Sequence, residues 1–195
     1  MQNGKANANR TQMREIDVEA IYADEWALVE PNLAPNWKTF FRVLWQTPLR
    51  TSEALGLKRK DIGDDQLIVY RSKWRERQLD RFAAVPITPE LSAEILSWTN
   101  NRRLKPFPYT RQAAWLALRT AVRKAGIDRN LHPHSFRHAF GRYGARADLG
   151  LSALDHKIRL AGIMGLRTVR SVERYYHSDA RENQEFGRRF LEAGR

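Results

Sequence analysis

The segment HPHSFRHAF, His132 to Phe140, gathers three of the five histidines of the chain around one arginine, Arg137. His134 and Arg137 are three residues apart, so they share one face of a helix. An imidazole beside a planar guanidinium suits a phosphate, because arginine can donate two parallel hydrogen bonds to its oxygens. A metal site is the alternative, since His134 and His138 also share a helix face, but the zincin pattern needs a glutamate where Ser135 stands. The segment therefore favours an anion site without a metal.

The charge of the whole chain indicates the same kind of partner. Its 195 residues include 34 basic and 22 acidic side chains, for a net charge of +12. Such an excess typically attracts nucleic acid, because every neutralised phosphate releases counterions; the alternative is a basic protein without such a partner. The chain has no cysteine, which excludes disulfides and thiolate metal sites. It has neither a signal peptide nor an apolar run of the roughly 18 residues that a membrane span needs, so we expect a cytoplasmic protein. When bound to DNA, the protein is expected to be associated with the nucleoid.

Hydrophobic periodicity predicts one main domain in which a single β-hairpin interrupts many helices. The first two helices are expected to follow the N-caps Asp17 and Asn36, and Gly126 is expected to end a later one. The predicted strands are 66–71 and 81–87, and the predicted helices are 17–30, 36–47, 51–57, 89–100, 110–126, 134–146, 154–164, 168–177 and 180–193. The predicted fold class is α+β, mostly helical, with a small antiparallel sheet.

Four segments resemble the motifs of the tyrosine recombinases, also called the phage integrase family, and they occur along the chain in the same order as in that family. HSFRHAF resembles the family's second motif, H-x-x-R-H, which holds His134 and Arg137. QTPLRTSEALGLKRKDI resembles the first motif and aligns Arg50 with its catalytic arginine. The family's hairpin carries a catalytic lysine, and VYRSK puts Lys73 there. The segment IMGLRTVRSVERYYH resembles the last motif and aligns Tyr175 with the nucleophilic tyrosine.

The resemblance implies the fold of a tyrosine recombinase catalytic domain and the site-specific recombination of double-stranded DNA. In the implied reaction, Tyr175 attacks a phosphodiester and leaves a 3′-phosphotyrosyl enzyme and a free 5′-hydroxyl, with no metal, ATP or other cofactor. Arg50 and Arg137 would clamp the phosphate oxygens, where negative charge develops in the transition state. His134 would accept the phenol proton or organise the phosphate and the phenol, and Lys73 would protonate the departing oxygen.

The last motif departs from the family pattern at one position. The residue after Gly165 is usually His or Trp and donates a hydrogen bond to the scissile phosphate, but Leu166 stands there and cannot donate. Arg167 could substitute for that donor, and His138 and Glu53 are expected to support the site. Basic residues of the hairpin and of a later loop are expected to contact DNA: Arg71, Arg75, Arg77, Arg102, Arg103 and Lys105.

The domain organisation implied by the resemblance is simple. We expect 1–16 to be a disordered polar lead-in, 17–178 to be the catalytic DNA-binding domain, and 179–195 to form a C-terminal helix. That helix would pack into a neighbouring protomer or onto its own chain, and assembly on DNA from dimer to tetramer is expected. We do not expect the family's usual N-terminal core-binding domain within this sequence, which is either a catalytic fragment or a compact member that acts with the catalytic domain alone. Two alternatives stay open: a type IB topoisomerase-like nicking and relaxing enzyme, and a catalytically impaired DNA-binding module, which Leu166 would explain.

Overall fold

The computed structural model describes residues 20–71, 82–100 and 102–177, together with six isolated positions from 181 to 192. The α-helices that it describes up to residue 177 are α1 (Ala23–Val29), α2 (Pro35–Gln46), α3 (Thr51–Gly56), α4 (Pro89–Ser97), α5 (Arg111–Lys124), α6 (Pro133–Arg146) and α7 (Ala153–Met164). The strands are β1 (Gln66–Tyr70) and β2 (Phe82–Pro86), and short 3-10 helices cover Glu30–Asn32, Arg59–Asp61 and Val169–Tyr175. The prediction of a mostly helical α+β fold is confirmed. Across the described ranges, every helix is too short or too polar to cross a membrane.

The first two helices begin at residues other than those predicted. The N-cap of α1 is Tyr22, whose backbone N–H donates to Glu25 Oε2 at 2.9 Å, so the prediction that Asp17 caps this helix is wrong. The second helix begins at Pro35, and Asn36 lies inside it rather than capping it. Proline is suited to the first helical position because its φ angle is already helical and it has no N–H to leave unpaired. That preference outweighs the capping tendency of the asparagine that follows.

The hairpin prediction is confirmed in its two strands. β1 and β2 pair antiparallel, with Gln66 opposite Pro86 and Tyr70 opposite Phe82. Burial alternates along β1, where Leu67 is fully buried and its neighbours are exposed, as expected for a strand with one face on the core. The connecting residues 72–81, which include Lys73, lie outside the described residues.

The main core fixes the position of α6 in the fold. Phe40 and Phe41 of α2 are fully buried, and the ring of Phe41 lies 5.3 Å from that of Phe136 in α6. Trp26 of α1 meets Phe136 edge to face, also at 5.3 Å. Burying a side chain of this size contributes about 1.5–3 kcal/mol relative to leaving it exposed. Because Phe136 is anchored from two sides, the next residue, Arg137, projects from a rigid helix.

A smaller second cluster joins α7 to the 3-10 helix that follows it. Its buried members are Leu160, Ala161, Met164, Val172 and Tyr175. α6 packs closely on α7, since a Cβ atom added to Gly144 would lie 2.8 Å from Leu160 Cδ1. Glycine at this position therefore allows the two helices to approach each other.

Candidate active site

Arg50 is held in place by the helix that it precedes. It is the N-cap residue of α3, and its backbone N–H donates to Glu53 Oε2 at 2.8 Å. The other oxygen of Glu53 accepts a hydrogen bond from Arg50 Nη1 at 2.7 Å, and Arg50 Nη2 lies 3.5 Å from the carbonyl oxygen of Gly165. One carboxylate thus binds both the backbone and the side chain of Arg50, which restricts its guanidinium. Glu53 is thus in contact with Arg50, and its role in supporting the site stays a prediction.

Arg137 is buried at the centre of the same region. Only 3% of this residue is exposed, and its Nη1 donates to the carbonyl oxygen of Pro48 while its Nη2 donates to that of Met164, the latter at 2.5 Å. Burial lowers the pKa of Arg137 to about 10, and the positive charge of Arg50 lowers it in the same direction. Arg137 therefore remains charged at neutral pH, and the charge of Arg50 acts on it.

The C-terminal end of α7 accepts hydrogen bonds from three arginines. Arg71 donates to the carbonyls of residues 162 and 163 at 3.1 and 2.7 Å, Arg137 to that of residue 164, and Arg50 approaches that of residue 165. The last carbonyls of a helix have no partner within it and carry the negative end of its dipole. Cationic side chains from three other elements bind these carbonyls, of which that of Gly162 also accepts from the Gly165 N–H at 3.0 Å. The end of α7 is therefore the point at which both predicted catalytic arginines meet.

Arg71 occupies a different environment from the surface position that a DNA contact would suggest. It follows β1 directly and is only 6% exposed. A Cβ atom added to Gly165 would lie 2.0 Å from Arg71 Nη1, and Gly165 has a φ angle of +60°. Glycine is favoured at this position on both counts, because L side chains rarely adopt this backbone conformation. The side chain of Arg71 thus fills the space beside Gly165.

Tyr175 faces this cluster of arginines from the 3-10 helix. Its residue is 3% exposed, and its ring packs against the backbone of α6, where a Cβ atom on Gly141 would lie 2.7 Å from Tyr175 Cε1. Its hydroxyl lies 3.5 Å from His138 Nδ1. Burial raises the pKa of Tyr175, whereas the charges of Arg137, Arg174 and Arg50 act to lower it. The phenol is therefore buried but in the field of both arginines of the site.

Tyr176, the neighbouring phenol, faces a different helix. Its ring meets the ring of His156 in α7 edge to face at 6.0 Å, and its hydroxyl is buried without a hydrogen-bond partner. Burial raises its pKa. The ring of Tyr175 thus packs against α6, whereas the ring of Tyr176 meets α7.

Two of the histidines form a pair beside the phenol. The rings of His134 and His138 meet edge to face with centroids 4.5 Å apart. Partial burial lowers the pKa of His134 to about 4, with a further contribution from Arg137, and lowers that of His138 to about 3, with a further contribution from His134. Both imidazoles are therefore neutral at pH 7. His132 instead sits at the N-cap of α6, where its backbone N–H donates to Ser135 Oγ at 3.2 Å.

The remaining predicted positions have mixed placements. Leu166 is half-buried and packs against the second cluster, and its backbone N–H donates to the carbonyl of Ala161 at 2.9 Å. Its neighbour Arg167 is exposed.

The basic residues predicted to contact DNA lie partly on the loop before α5, where Arg102 and Lys105 are exposed and Arg103 is half-buried. Lys73, Arg75 and Arg77 lie outside the described residues. Among the described residues, no group of three or more His, Asp or Glu side chains is arranged to hold a metal ion.

Two contributors to this geometry were missed in the sequence. Gly141 lies four residues after Arg137 and three after His138, so it shares their helix face. A glycine on that face is a signal for close approach of another element, here the ring of Tyr175. The burial of Arg71 carries no comparable signal, because a basic residue beside a basic hairpin tip usually faces solvent.

Comparisons with known proteins match most of the chain to one family. The model for the phage integrase family matches residues 12–182. The tyrosine recombinase XerD of Chlorobaculum tepidum is 25% identical over 150 residues, which cover 71% of this chain and 49% of the relative. The chain thus spans about half the length of the curated relatives that it matches.

Solved structures of tyrosine recombinases share the fold. The crystal structure of XerA recombinase matches with a TM-score of 0.64 at 20% identity, over 88% of this chain and 63% of that chain. The XerH site-specific recombinase bound to the palindromic difH substrate, in a post-cleavage complex, matches with a TM-score of 0.62 at 16% identity, over 86% of this chain and 52% of that one.

Proposed function

Because this chain belongs to the phage integrase family, we propose that it is a site-specific DNA recombinase that cleaves and rejoins DNA through a 3′-phosphotyrosyl intermediate. The observation that carries the proposal is the meeting of Arg50 and Arg137 at the end of α7, with Tyr175 in the electrostatic field of both. Double-stranded DNA is the proposed substrate, which the net charge of +12 and the DNA-bound state of the related XerH support. Assembly of two to four protomers on DNA, in the cytoplasm, is part of the same proposal.

The two arginines suit the charge changes of the reaction. A phosphodiester carries one negative charge, and more charge gathers on its non-bridging oxygens in the pentacoordinate transition state. The guanidinium groups of Arg50 and Arg137 would bind those oxygens most strongly when that charge is greatest. Each now donates to backbone carbonyls or to Glu53, and a guanidinium has five N–H groups, so further donors remain for a phosphate. The phosphate would therefore join an existing cationic cluster.

The phenol needs a proton acceptor, because an unperturbed tyrosine has a pKa of about 10 and burial raises that of Tyr175. The neutral pair His134 and His138 is the proposed acceptor, with His138 Nδ1 in contact with the phenol. An anionic phosphate bound beside the two imidazoles would raise their low pKa values and so make them stronger bases. We assign proton acceptance to this pair, with His134 also positioned beside Arg137 to bind the phosphate. A phosphate near the phenol would oppose its ionisation, so the field of the two arginines is needed to offset that effect.

The departing 5′-oxygen needs a proton, and Lys73 is the proposed donor. The attack forms a bond between the Tyr175 oxygen and phosphorus while the bond to the 5′-oxygen breaks, so the energy of the diester stays in the phosphotyrosine. A second 5′-hydroxyl can then attack that link and restore a diester. This exchange is recombination rather than hydrolysis, and it proceeds without ATP. Arg102 and Lys105, both exposed, are proposed contacts to the DNA backbone together with Arg75, Arg77 and Arg103.

A non-catalytic DNA-binding module is the second proposal, and one observation favours it. Leu166 packs against the apolar cluster at the position where the family usually has a phosphate donor. Loss of one such donor can cost about 3–4 kcal/mol of transition-state stabilisation. Cleavage would then be slow or absent, while the basic surface would still bind DNA.

The deciding experiment is a test for a covalent adduct. The protein is incubated with nicked suicide DNA sites built from inverted repeats that flank its gene, and a detergent-resistant protein–DNA adduct is measured. We expect an adduct with the wild type and with Tyr176→Phe, the matched control, and none with Tyr175→Phe. DNA binding without an adduct on any such site would support the module. Strand exchange between two such sites would indicate a recombinase, whereas relaxation of plasmids that lack the sites would indicate a type IB topoisomerase-like enzyme.

A further inference from the structure

Arg71 is a buried cation to which the proposed reaction assigns no role. It is only 6% exposed, and its two terminal nitrogens donate to the carbonyls of Gly162 and Ile163 at 3.1 and 2.7 Å. Burial lowers its pKa, which the negative charge of Glu53 partly opposes. Burying a guanidinium has a substantial desolvation cost unless partners replace the lost water. Here those partners lie in the last turn of α7, so Arg71 makes an internal contact and is not a surface charge.

The last turn of α7 also orients the two arginines that are proposed to bind the phosphate. Four consecutive carbonyl oxygens, those of residues 162–165, lie within 3.5 Å of arginine nitrogens. Arg71 binds the first two, Arg137 donates to the third, and Arg50 approaches the fourth. Carbonyls of one helical turn move together, because the backbone separates successive residues by only about 1.5 Å along the axis. A shift of this turn would therefore displace the partners of both other guanidiniums.

The guanidinium of Arg71 also packs against the backbone where α7 ends. A Cβ atom added to Gly165 would lie 2.0 Å from Arg71 Nη1 and 2.4 Å from its Cζ. Protein interiors contain few voids, so removal of this group would leave space into which the turn could move. The positive charge of Arg71 also acts on Arg137 and lowers its pKa. Arg71 thus restricts the last turn of α7 through hydrogen bonds and through packing.

We propose that Arg71 is a positioning residue: by holding the last turn of α7, it places the carbonyls that orient Arg137 and Arg50, and so sets both guanidiniums for the non-bridging oxygens of the scissile phosphate. This inference rests on the proposed function, because it concerns the charge that develops on those oxygens. Arg71 itself does not touch the phosphate, and its effect passes through the backbone of residues 162–165. It should therefore affect the rate of cleavage and not the affinity for DNA.

The first test compares two substrates that differ in the charge of the scissile diester. In a methylphosphonate, a methyl group replaces one non-bridging oxygen, so the diester is neutral and gives the arginines less charge to stabilise. Single-turnover adduct formation by Arg71→Met is measured on both substrates at saturating protein, under conditions in which urea titration shows each variant to be folded. Arg123→Met, which removes one exposed charge from the last turn of α5, is the matched control. Arg71→Lys tests whether an ammonium that reaches one carbonyl restores part of the rate.

We expect Arg71→Met to slow adduct formation on the phosphodiester by roughly 10- to 100-fold, since misplacement by about 1 Å can cost that much. On the methylphosphonate its rate should approach that of the wild type, and Arg71→Lys should fall between the two on the phosphodiester. Arg123→Met should match the wild type on both. Equal slowing by Arg71→Met on both substrates would overturn the inference, because the effect would then not depend on the charge that the two arginines bind. Unchanged rates on both would overturn it as well.

The affinity for DNA separates this role from a direct DNA contact. Because Arg71 is buried and its terminal nitrogens already bind carbonyls, Arg71→Met should bind the same DNA site within a few-fold of the wild-type Kd. A loss of affinity as large as the loss of rate would overturn the inference and assign Arg71 to the DNA contact surface.

A further measurement needs neither activity nor DNA. The backbone N–H groups of Gly165 and Leu166 donate to the carbonyls of residues 162 and 161 at 3.0 and 2.9 Å, so their hydrogen exchange reports on the last turn of α7. The Nη protons of Arg137, observed by NMR, report on the guanidinium that this turn orients. Exchange about 10-fold faster or more at both places in Arg71→Met supports the inference, and unchanged exchange at either place overturns it. If the wild type forms no adduct on either substrate, the proposed function fails, and this measurement still decides whether Arg71 holds Arg137 through α7.

Discussion

The substitution Gly141→Ala directly tests the packing of Tyr175, the proposed nucleophile. The new Cβ atom would lie 2.7 Å from Tyr175 Cε1 and 2.8 Å from both Cδ1 and Cζ. Carbon atoms in contact prefer about 3.5–4.0 Å, so the ring must move by roughly 1 Å. The clash involves one edge of a rigid ring and the backbone of a helix, which leaves few ways to relieve it. A displacement of that size lowers the rate of a positioned reaction by about 100-fold.

The same substitution should change stability much less than activity. Alanine in a helix interior is more stable than glycine by about 0.5–1 kcal/mol, whereas overpacking typically costs about 1–3 kcal/mol. The net loss should therefore stay within about 2.5 kcal/mol. Gly144→Ala is the matched control, because it lies in the same helix and meets the flexible end of Leu160 at 2.8 Å instead of the nucleophile. Gly162→Ala, with nothing within 4 Å of the added atom, controls for helix propensity alone.

The assay is single-turnover adduct formation on the suicide site, with urea unfolding of each variant in parallel. We expect Gly141→Ala to lose adduct formation by about 100-fold while Gly144→Ala stays within a few-fold of the wild type. Wild-type adduct rates in a folded Gly141→Ala protein would refute the reasoning, since they would show that Tyr175 reacts from a position away from α6. Equal losses in both glycine variants would assign the effect to the packing of α6 and not to the nucleophile.

Two further predictions concern the buried groups of the site. Arg137→Met removes the donors of two buried carbonyls and should lower the free energy of unfolding by about 1–3 kcal/mol, measured by urea titration. The control Arg123→Met, at an exposed position, should lower it by at most about 0.5 kcal/mol. Similar losses in the two variants would contradict the contacts of Arg137. The pKa of His138 is about 3 in the folded protein and near 6.5 when unfolded, so the unfolded chain binds more protons between those values. The contribution of His138 to stability is therefore complete above about pH 6.5 and is lost as the pH falls toward 3, at no more than about 1.4 kcal/mol per pH unit. In His138→Gln the free energy of unfolding should depend less on pH than in the wild type, as measured by urea unfolding from pH 7 to 4. If the two proteins lose stability equally over that range, the imidazole of His138 is not shielded from solvent in the fold.

Local patterns in the sequence were sufficient for most of the fold. The alternation in QLIVY and the helical spacing of apolar residues in NWKTFFRVLWQ identify β1 and α2, because each depends on neighbours only a few residues apart. The end of α5 was also predicted, since Gly126 has a positive φ angle as a helix-terminating glycine should. The capping predictions at Asp17 and Asn36 were wrong. The first helix begins after Tyr22, and the second begins at Pro35, one residue before the predicted cap. Several residues near each helix start could serve as a cap, and the sequence alone did not distinguish them.

The sequence by itself determined the family, the mostly helical fold and the order of the motif residues, because these follow from residue types at short, regular spacings. Only the tertiary structure decided how those residues meet. Arg50 lies 115 residues from its carbonyl neighbour Gly165, and Arg137 lies 89 residues from Pro48. It also decided that His138 contacts Tyr175 and that Arg71 turns inward to the end of α7. Contacts at such separations depend on how whole helices pack and on which carbonyls at helix ends need partners. Neither can be predicted from a short segment of the sequence, because each depends on residues far apart in the chain.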